Sequence, residues 1–245
     1  MIVRIRIKRN IIIAVAAIVF FCLLIYSAGL SNSRALNTAG KDAEKNLVII
    51  IDAGHGGPDG GASAEDGTPE KDLNLMIANN LNLLLKSTGL KTLMIRTGDY
   101  SVCDDSAKTI RQKKVSDIRN RLTTIEQTPN SVFVSIHQNH FSQEKYFGTQ
   151  VFYSGNNEKS KQLAQSIQSS VVRLLQPDNA RKVKKSGTDI YLLYHAKSPA
   201  VLVECGFLSN YAETAKLKNE KYRQKLAFSI MCGILDYIGA EKQQP

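Results

Sequence analysis

Four residues combine a type and a position suited to hydrolysis. His55 stands in DAGHGG, Glu70 in TPEKDLNL, His137 in SVFVSIHQNH and Glu204 in AVLVECGF. Two imidazoles and a carboxylate are a recurring set for a hydrolytic zinc ion, with a fourth position left for water. A second carboxylate outside the metal can take that water's proton. Glycines around His55 allow a sharp turn and a close substrate approach. Each residue alone has a plainer explanation. A histidine at a strand end is more often a hydrogen-bonded loop residue, and Glu70 would favour the positive end of a helix dipole. Glu204 is harder to explain away, because a carboxylate directly after the apolar run AVLV has no surface role. The hypothesis rests on convergence.

The elements that must position these residues follow from hydropathy. LVIIID (47–52), TLMIR (92–96), SVFVSIH (131–137), TQVFYS (149–154) and AVLVE (200–204) have the β-branched, two-sided apolar character of buried strands. Helical patterns lie between them. Thr68 is expected to cap a helix with Pro69 in its first turn. Leu73, Ile77, Leu81 and Leu84 then share one face, and Gly89 ends the element. Residues 158–175 repeat the pattern with Leu163, Ile167, Val171 and Leu174. Residues 220–238 do so with Tyr222, Leu226, Ile230 and Ile234. This alternation predicts a single α/β domain, with a mainly parallel twisted sheet covered by helices on both faces. Ligands of such sheets bind beyond the carboxyl ends of the strands. His55, Arg96, His137, His140 and Glu204 all fall at those ends, and Glu70 opens the first helix on the same rim.

Charge divides the chain further. The 245 residues hold 32 Lys+Arg and 22 Asp+Glu, a net +10. Residues 1–45 carry half of that excess, through seven basic and two acidic groups. Arg4, Arg6, Lys8 and Arg9 precede an uncharged stretch, 11–30, that is long enough to span a bilayer core of roughly 30 Å. By the positive-inside rule the basic end stays in the cytoplasm and the remainder is exported. The expected organisation is a basic segment at 1–10, a signal anchor at 11–30, a linker at 31–46 and a catalytic domain at 47–240. The catalytic domain is expected on the outer side of a cell membrane, or released if the signal is cleaved. Cys22 lies in the span. Cys103, Cys205 and Cys232 match no zinc knuckle or disulfide framework and are expected to be free thiols. The absence of tryptophan leaves no evident stacking platform, so nucleic acid is not an expected partner. The local cluster Arg181, Lys182, Lys184 and Lys185 is read as a solvated loop, with anionic peptidoglycan as the partner if it has one.

The motifs VIIIDAGHGGPDGGA, TPEKDLNL, MIRTGD, SVFVSIHQNH, GTQVFY and SPAVLVECGFLSN, in this order over Leu47 to Ile238, resemble the zinc-dependent N-acetylmuramoyl-L-alanine amidases of bacterial cell walls. Within that family the chain is most like the germination-specific amidases of spore-forming bacteria. That narrower likeness rests on the anchor, the lack of an evident wall-binding module and the stretch PDNARKVKKSGTDIYLL. The resemblance implies zinc held by His55, Glu70 and His137, with Glu204 as the catalytic carboxylate. It implies support or substrate contact by Arg96, Asn139 and His140. His140 replaces a small residue usual in the family, but His137 follows the strand directly and is the better ligand. Glu126, at the end of RLTTIE, stands where the family usually has asparagine, and puts one local hydrogen bond in doubt.

The implied reaction is hydrolysis of the amide between N-acetylmuramic acid and L-alanine in peptidoglycan, in spore cortex on the way to muramic δ-lactam and in the forespore envelope. The alternatives are a zinc peptidase acting within the stem peptide and a catalytically inactive wall-binding protein. An exported accessory protein is a further candidate partner.

Overall fold

The computed structural model describes residues 46–241. The expected basic segment, anchor, linker up to residue 45, and Cys22 lie outside the described residues. Among those described, no helix is long and apolar enough to cross a membrane.

The strands are β1 (Val48–Ala53), β2 (Lys91–Met94), β3 (Ser131–Asn139), β4 (Gln150–Tyr153), β5 (Lys184–Lys185) and β6 (Ala200–Phe207). They form one sheet in the order β2-β1-β3-β6-β4-β5. The helices are α1 (Glu70–Ser87), α2 (Ile110–Glu126), α3 (Lys159–Leu174), α4 (Tyr191–His195), α5 (Tyr211–Lys218) and α6 (Glu220–Glu241).

Strand alternation explains the layers. Ile49, Ile51, Val132, Val134, Val201 and Val203 point to one face and pack with α1, α3 and α6. Ile50, Phe133, Ala200 and Leu202 point to the other, against Ile125 of α2 and Leu192 and Leu193 of α4. Helices therefore cover both faces, as the sequence pattern predicts.

The sheet is mixed. β2, β1, β3 and β6 run parallel, whereas β4 is antiparallel to β6 and carries β5 beside it. A parallel return needs a crossover of about a dozen residues or more. Only residues 140–149 join β3 to β4, so β4 comes back in the opposite sense.

Several local expectations shift. Pro69 is the N-cap itself (φ −79°, ψ 145°), and α1 begins at Glu70. Leu85 is fully buried and Leu84 only half-buried, because the stripe drifts by one residue over five turns. Leu174 is exposed at the last turn of α3. Lys184 and Lys185 form a two-residue edge strand and not a loop, with no apolar side chain to announce it. The apolar stripe of helix α2 is interrupted, because Arg121 occupies the inward face beside Ile118 and Ile125. Its start was nonetheless marked. Thr109 and Gln112 form a reciprocal capping box, a pattern legible as Thr-x-x-Gln.

Candidate active site

The turn after β1 is built around His55. Its φ is 63°, in the left-handed region, and Gly56 and Gly57 follow at 135° and 55°. Two buried guanidinium groups hold this turn. Arg96, just past β2, donates from Nε to the Ala53 carbonyl (2.7 Å) and from Nη2 to those of Gly54 (3.0 Å) and Lys71 (2.8 Å). Its Nη1 donates to Gly98 (3.0 Å). Arg121, from α2, donates to the carbonyls of Ala53 (3.1 Å) and His55 (2.7 Å) and pairs with Asp52 and Asp117. Arg96 has no exposed surface. Of the two roles expected for it, the structure favours support and leaves no surface for substrate.

Three of the expected residues meet. One ligand atom each from His55, Glu70 and His137 lies within 4.8 Å of the other two. Glu70 Oε2 is 3.2 Å from His55 Nε2, and Oε1 is 2.9 Å from His137 Nδ1. The carboxylate is aimed by three donors. The Ala62 amide reaches Oε2 at 2.9 Å, while the Gln138 amide (3.0 Å) and Asn74 Nδ2 (3.2 Å) reach Oε1. His55 Nδ1 donates to Asp59 Oδ2 at 2.9 Å, which turns Nε2 toward the cluster.

The electrostatics call for a cation. Burial opposes charge on both Glu70 and His55, yet hydrogen bonding outweighs it. Contacts with His137 and His55 hold Glu70 well below the usual carboxylate range. Asp59 and Glu70 lift His55 to about 9. Glu70 therefore keeps its negative charge between the two imidazoles. Two imidazoles and one carboxylate are a donor set that fits a divalent metal.

Glu204 completes the rim. It faces His137 in register on the neighbouring strand, with Gln150 of β4 opposite on its other side. Burial, reinforced by the Glu70 charge and opposed by the two imidazoles, pushes it up to about 7. Its Oε2 is buried without a hydrogen-bond partner among the described residues.

The remaining expectations fall less close. Asn139 is half-buried, and its carbonyl accepts from the Leu208 amide at 2.8 Å. His140 is exposed just beyond β3 and does not join the cluster. Glu126 is exposed at the end of α2. Cys205 is fully buried, and burial pushes its thiol far up, so it is packing and not a nucleophile. Cys103, Cys205 and Cys232 are all free.

The sequence pattern does not single out Asp52, Asp59, Asn74, Arg121 or Gln138 as site residues. Three left signals. Asp52 ends an otherwise apolar strand, Arg121 lies on the stripe of Ile118 and Ile125, and Asn74 lies between Leu73 and Ile77 of α1. Asp59 and Gln138 left none.

Gly54 offers a direct test of this geometry. A Cβ there would stand 2.2 Å from His137 Nε2. Gly54→Ala is expected to displace the ring and lower activity by about 100-fold, the scale for a displacement near 1 Å. Metal titration and steady-state kinetics check it. Unchanged metal affinity would show that His137 is placed otherwise.

A family model described as N-acetylmuramoyl-L-alanine amidase matches residues 49–236. The germination-specific N-acetylmuramoyl-L-alanine amidase of Bacillus subtilis (strain 168) is 36% identical over 198 residues, covering 81% of this chain and 82% of the relative. The CwlD amidase from Clostridioides difficile, solved in complex with the GerS lipoprotein, superposes with a TM-score of 0.76 at 42% identity. That match covers 79% of this chain and 98% of the other. A second Clostridium difficile 630 amidase structure gives 0.70 at 30% identity, over 80% and 99% of the two chains.

Proposed function

This chain belongs to the N-acetylmuramoyl-L-alanine amidase family, and from that premise we propose that His55, Glu70 and His137 hold a zinc ion and that Glu204 is the acid–base group for hydrolysis of the muramoyl–L-alanine amide. The family is one of metal-dependent cell-wall hydrolases. The observation that carries the assignment is the buried, unpartnered Oε2 of Glu204 beside the His–Glu–His set. A zinc ion held there would polarise the scissile carbonyl and lower the pKa of a water to about 7.

The chain's own residues do the rest. Glu204 takes a proton from the attacking water on its free oxygen and returns it to the departing alanine amine. A cation in the adjoining site favours the charged form of Glu204 that this requires. His55 is kept with Nε2 inward by Asp59, and Glu70 is fixed by Ala62, Gln138 and Asn74. Arg96 and Arg121 keep the 53–55 turn rigid, so little reorganisation is left to the reaction.

Removal of the metal tests the assignment. Dialysis against a strong chelator is expected to silence cleavage of muropeptides, and added zinc to restore it, with elemental analysis giving one ion per chain. Full activity of metal-free protein would sink the proposal.

The biological setting is a finer part of the same proposal. Similarity to a germination-specific amidase supports action on spore-cortex peptidoglycan. The peptide-free muramic acid so produced is the material for muramic δ-lactam, once a separate deacetylase removes the N-acetyl group. A deletion strain is expected to lack cortex lactam, and normal lactam levels would contradict this role. The run of apolar residues 11–30 behind four basic residues supports a membrane anchor with the catalytic domain outside. The GerS complex of the Clostridioides difficile CwlD amidase supports an exported accessory partner here as well.

A further inference from the structure

The sheet edge beyond Glu204 carries a cationic feature that the metal centre does not use. Gln150 is the cross-strand partner of Glu204, so both side chains leave the sheet on the same face. Gln150 Oε1 accepts from Arg181 Nη1 at 2.9 Å, and Gln150 Nε2 donates to the Lys182 carbonyl at 2.9 Å. Arg181 is therefore one side chain removed from Glu204.

Its guanidinium is held firmly. Nε donates to the Phe147 carbonyl at 2.8 Å. The group lies over the Phe207 ring, 4.4 Å from its centroid, and 5.8 Å from that of Tyr146. Phe207 is on the same strand as Glu204, three residues on. Arg181 Nη2 donates to none of the described residues, so part of a pre-positioned fork is unspent. A cavity of about 310 Å³ opens beside it, bounded also by Lys145 and Asp178. Lys182, Lys184 and Lys185 are exposed along the adjoining edge, and the nearby acids are Asp178 and the buried Glu213, whose Oε2 is already taken by the Gly148 and Phe207 amides.

We propose that Arg181 binds a carboxylate on the peptide side of the scissile amide, so that the enzyme prefers acidic stem peptides to their amidated forms. This rests on the amidase reading of the metal centre. A planar guanidinium fixed by two rings and two acceptors matches a carboxylate in shape and loses little freedom on binding it. The peptide released by an amidase bears carboxylates within a residue or two of the cleaved bond. Gln150, hydrogen-bonded to Arg181 and paired in register with Glu204, ties the guanidinium to the strand pair that carries the acid–base group.

The experiment compares two muramoyl peptides that differ only in a free carboxylate or a carboxamide on the residue after L-alanine. Full-length wild type, Arg181→Ala, Arg181→Lys and Gln150→Ala are measured on each, with melting temperature and metal content recorded. On the acidic substrate, Arg181→Ala is expected to raise KM by about 10- to 100-fold with kcat nearly unchanged. Arg181→Lys should restore part of the loss, because it returns the charge without the fork. Gln150→Ala, which frees one tether, should raise KM by a smaller factor. On the carboxamide substrate, wild type should already show the raised KM and the variants should change it little. An equal KM rise on both substrates, or no wild-type preference for the acid, would overturn the subsite. If wild type cleaves neither substrate, the amidase reading itself fails, which is a separate result.

Discussion

Glu204→Gln is expected to lower amide cleavage by about 10²- to 10⁴-fold, the scale for loss of a positioned general base, with fold and metal content retained. The substitution keeps the side chain's size and removes only its capacity to accept and return a proton. No described hydrogen bond depends on Glu204 Oε2, so no structural partner is orphaned. A buried neutral amide also costs less than a buried carboxylate. The variant should therefore melt no lower than wild type, and a slight rise is expected. Such a rise would mark Glu204 as a residue kept for chemistry at the expense of stability. Steady-state kinetics, a thermal melt and elemental analysis on one preparation decide it. A folded, metal-loaded Glu204→Gln enzyme with full activity would refute the assignment.

The largest effect on stability is expected at Arg121. Its side chain is 2% exposed and that of Asp52 is 1%, so the pair is fully desolvated. Arg121→Met would strand the Asp52 charge and free the His55 carbonyl, leaving that of Ala53 to Arg96 alone. Breaking one partner of a buried pair costs about 3–5 kcal/mol. In a domain of this size that is on the order of 10 °C in melting temperature. Activity should fall as well, since the His55 turn loses one of its two clamps.

The same pair sets an acid limit. Burial raises the Asp52 carboxyl, but the Arg121 charge and the Ser135 hydroxyl outweigh it and hold the group below its ordinary value. A depressed folded pKa contributes stability that is complete above the unfolded value of about 3.9 and is lost as pH falls through the folded one. Wild type should lose stability on acidification below about pH 4, and Asp52→Asn, although weaker at neutral pH, should show a shallower dependence there. Chemical denaturation between pH 3 and 7 measures both. Parallel curves would show that Asp52 does not titrate with unfolding.

Much of the site was legible because strand ends are legible. An apolar run that stops just ahead of His55, or at His137 or Glu204, announces both the strand and the group at its end. Glu70 was visible as the first residue of a helix whose apolar stripe begins at Leu73. What escaped notice lies where polarity and burial disagree. Arg121 disguises the inward face of α2, and Asp52 and Asn74 are polar residues inside core elements, explained only by partners distant in sequence. The reversal of β4 escaped for another reason. Residue type records whether a strand is buried but not its direction, which here follows from the length of the 140–149 connection. Arg181 was noticed only as charge, because its meaning comes from Gln150 and Phe207.

The central claim is tested most directly by mass spectrometry of purified muropeptides digested with the zinc-loaded enzyme and with its Glu204→Gln variant. The predicted result is intact stem peptide with a free L-alanine amino terminus, together with peptide-free muramic acid, from wild type alone. Cleavage inside the stem peptide, or the same products from the variant, would contradict it.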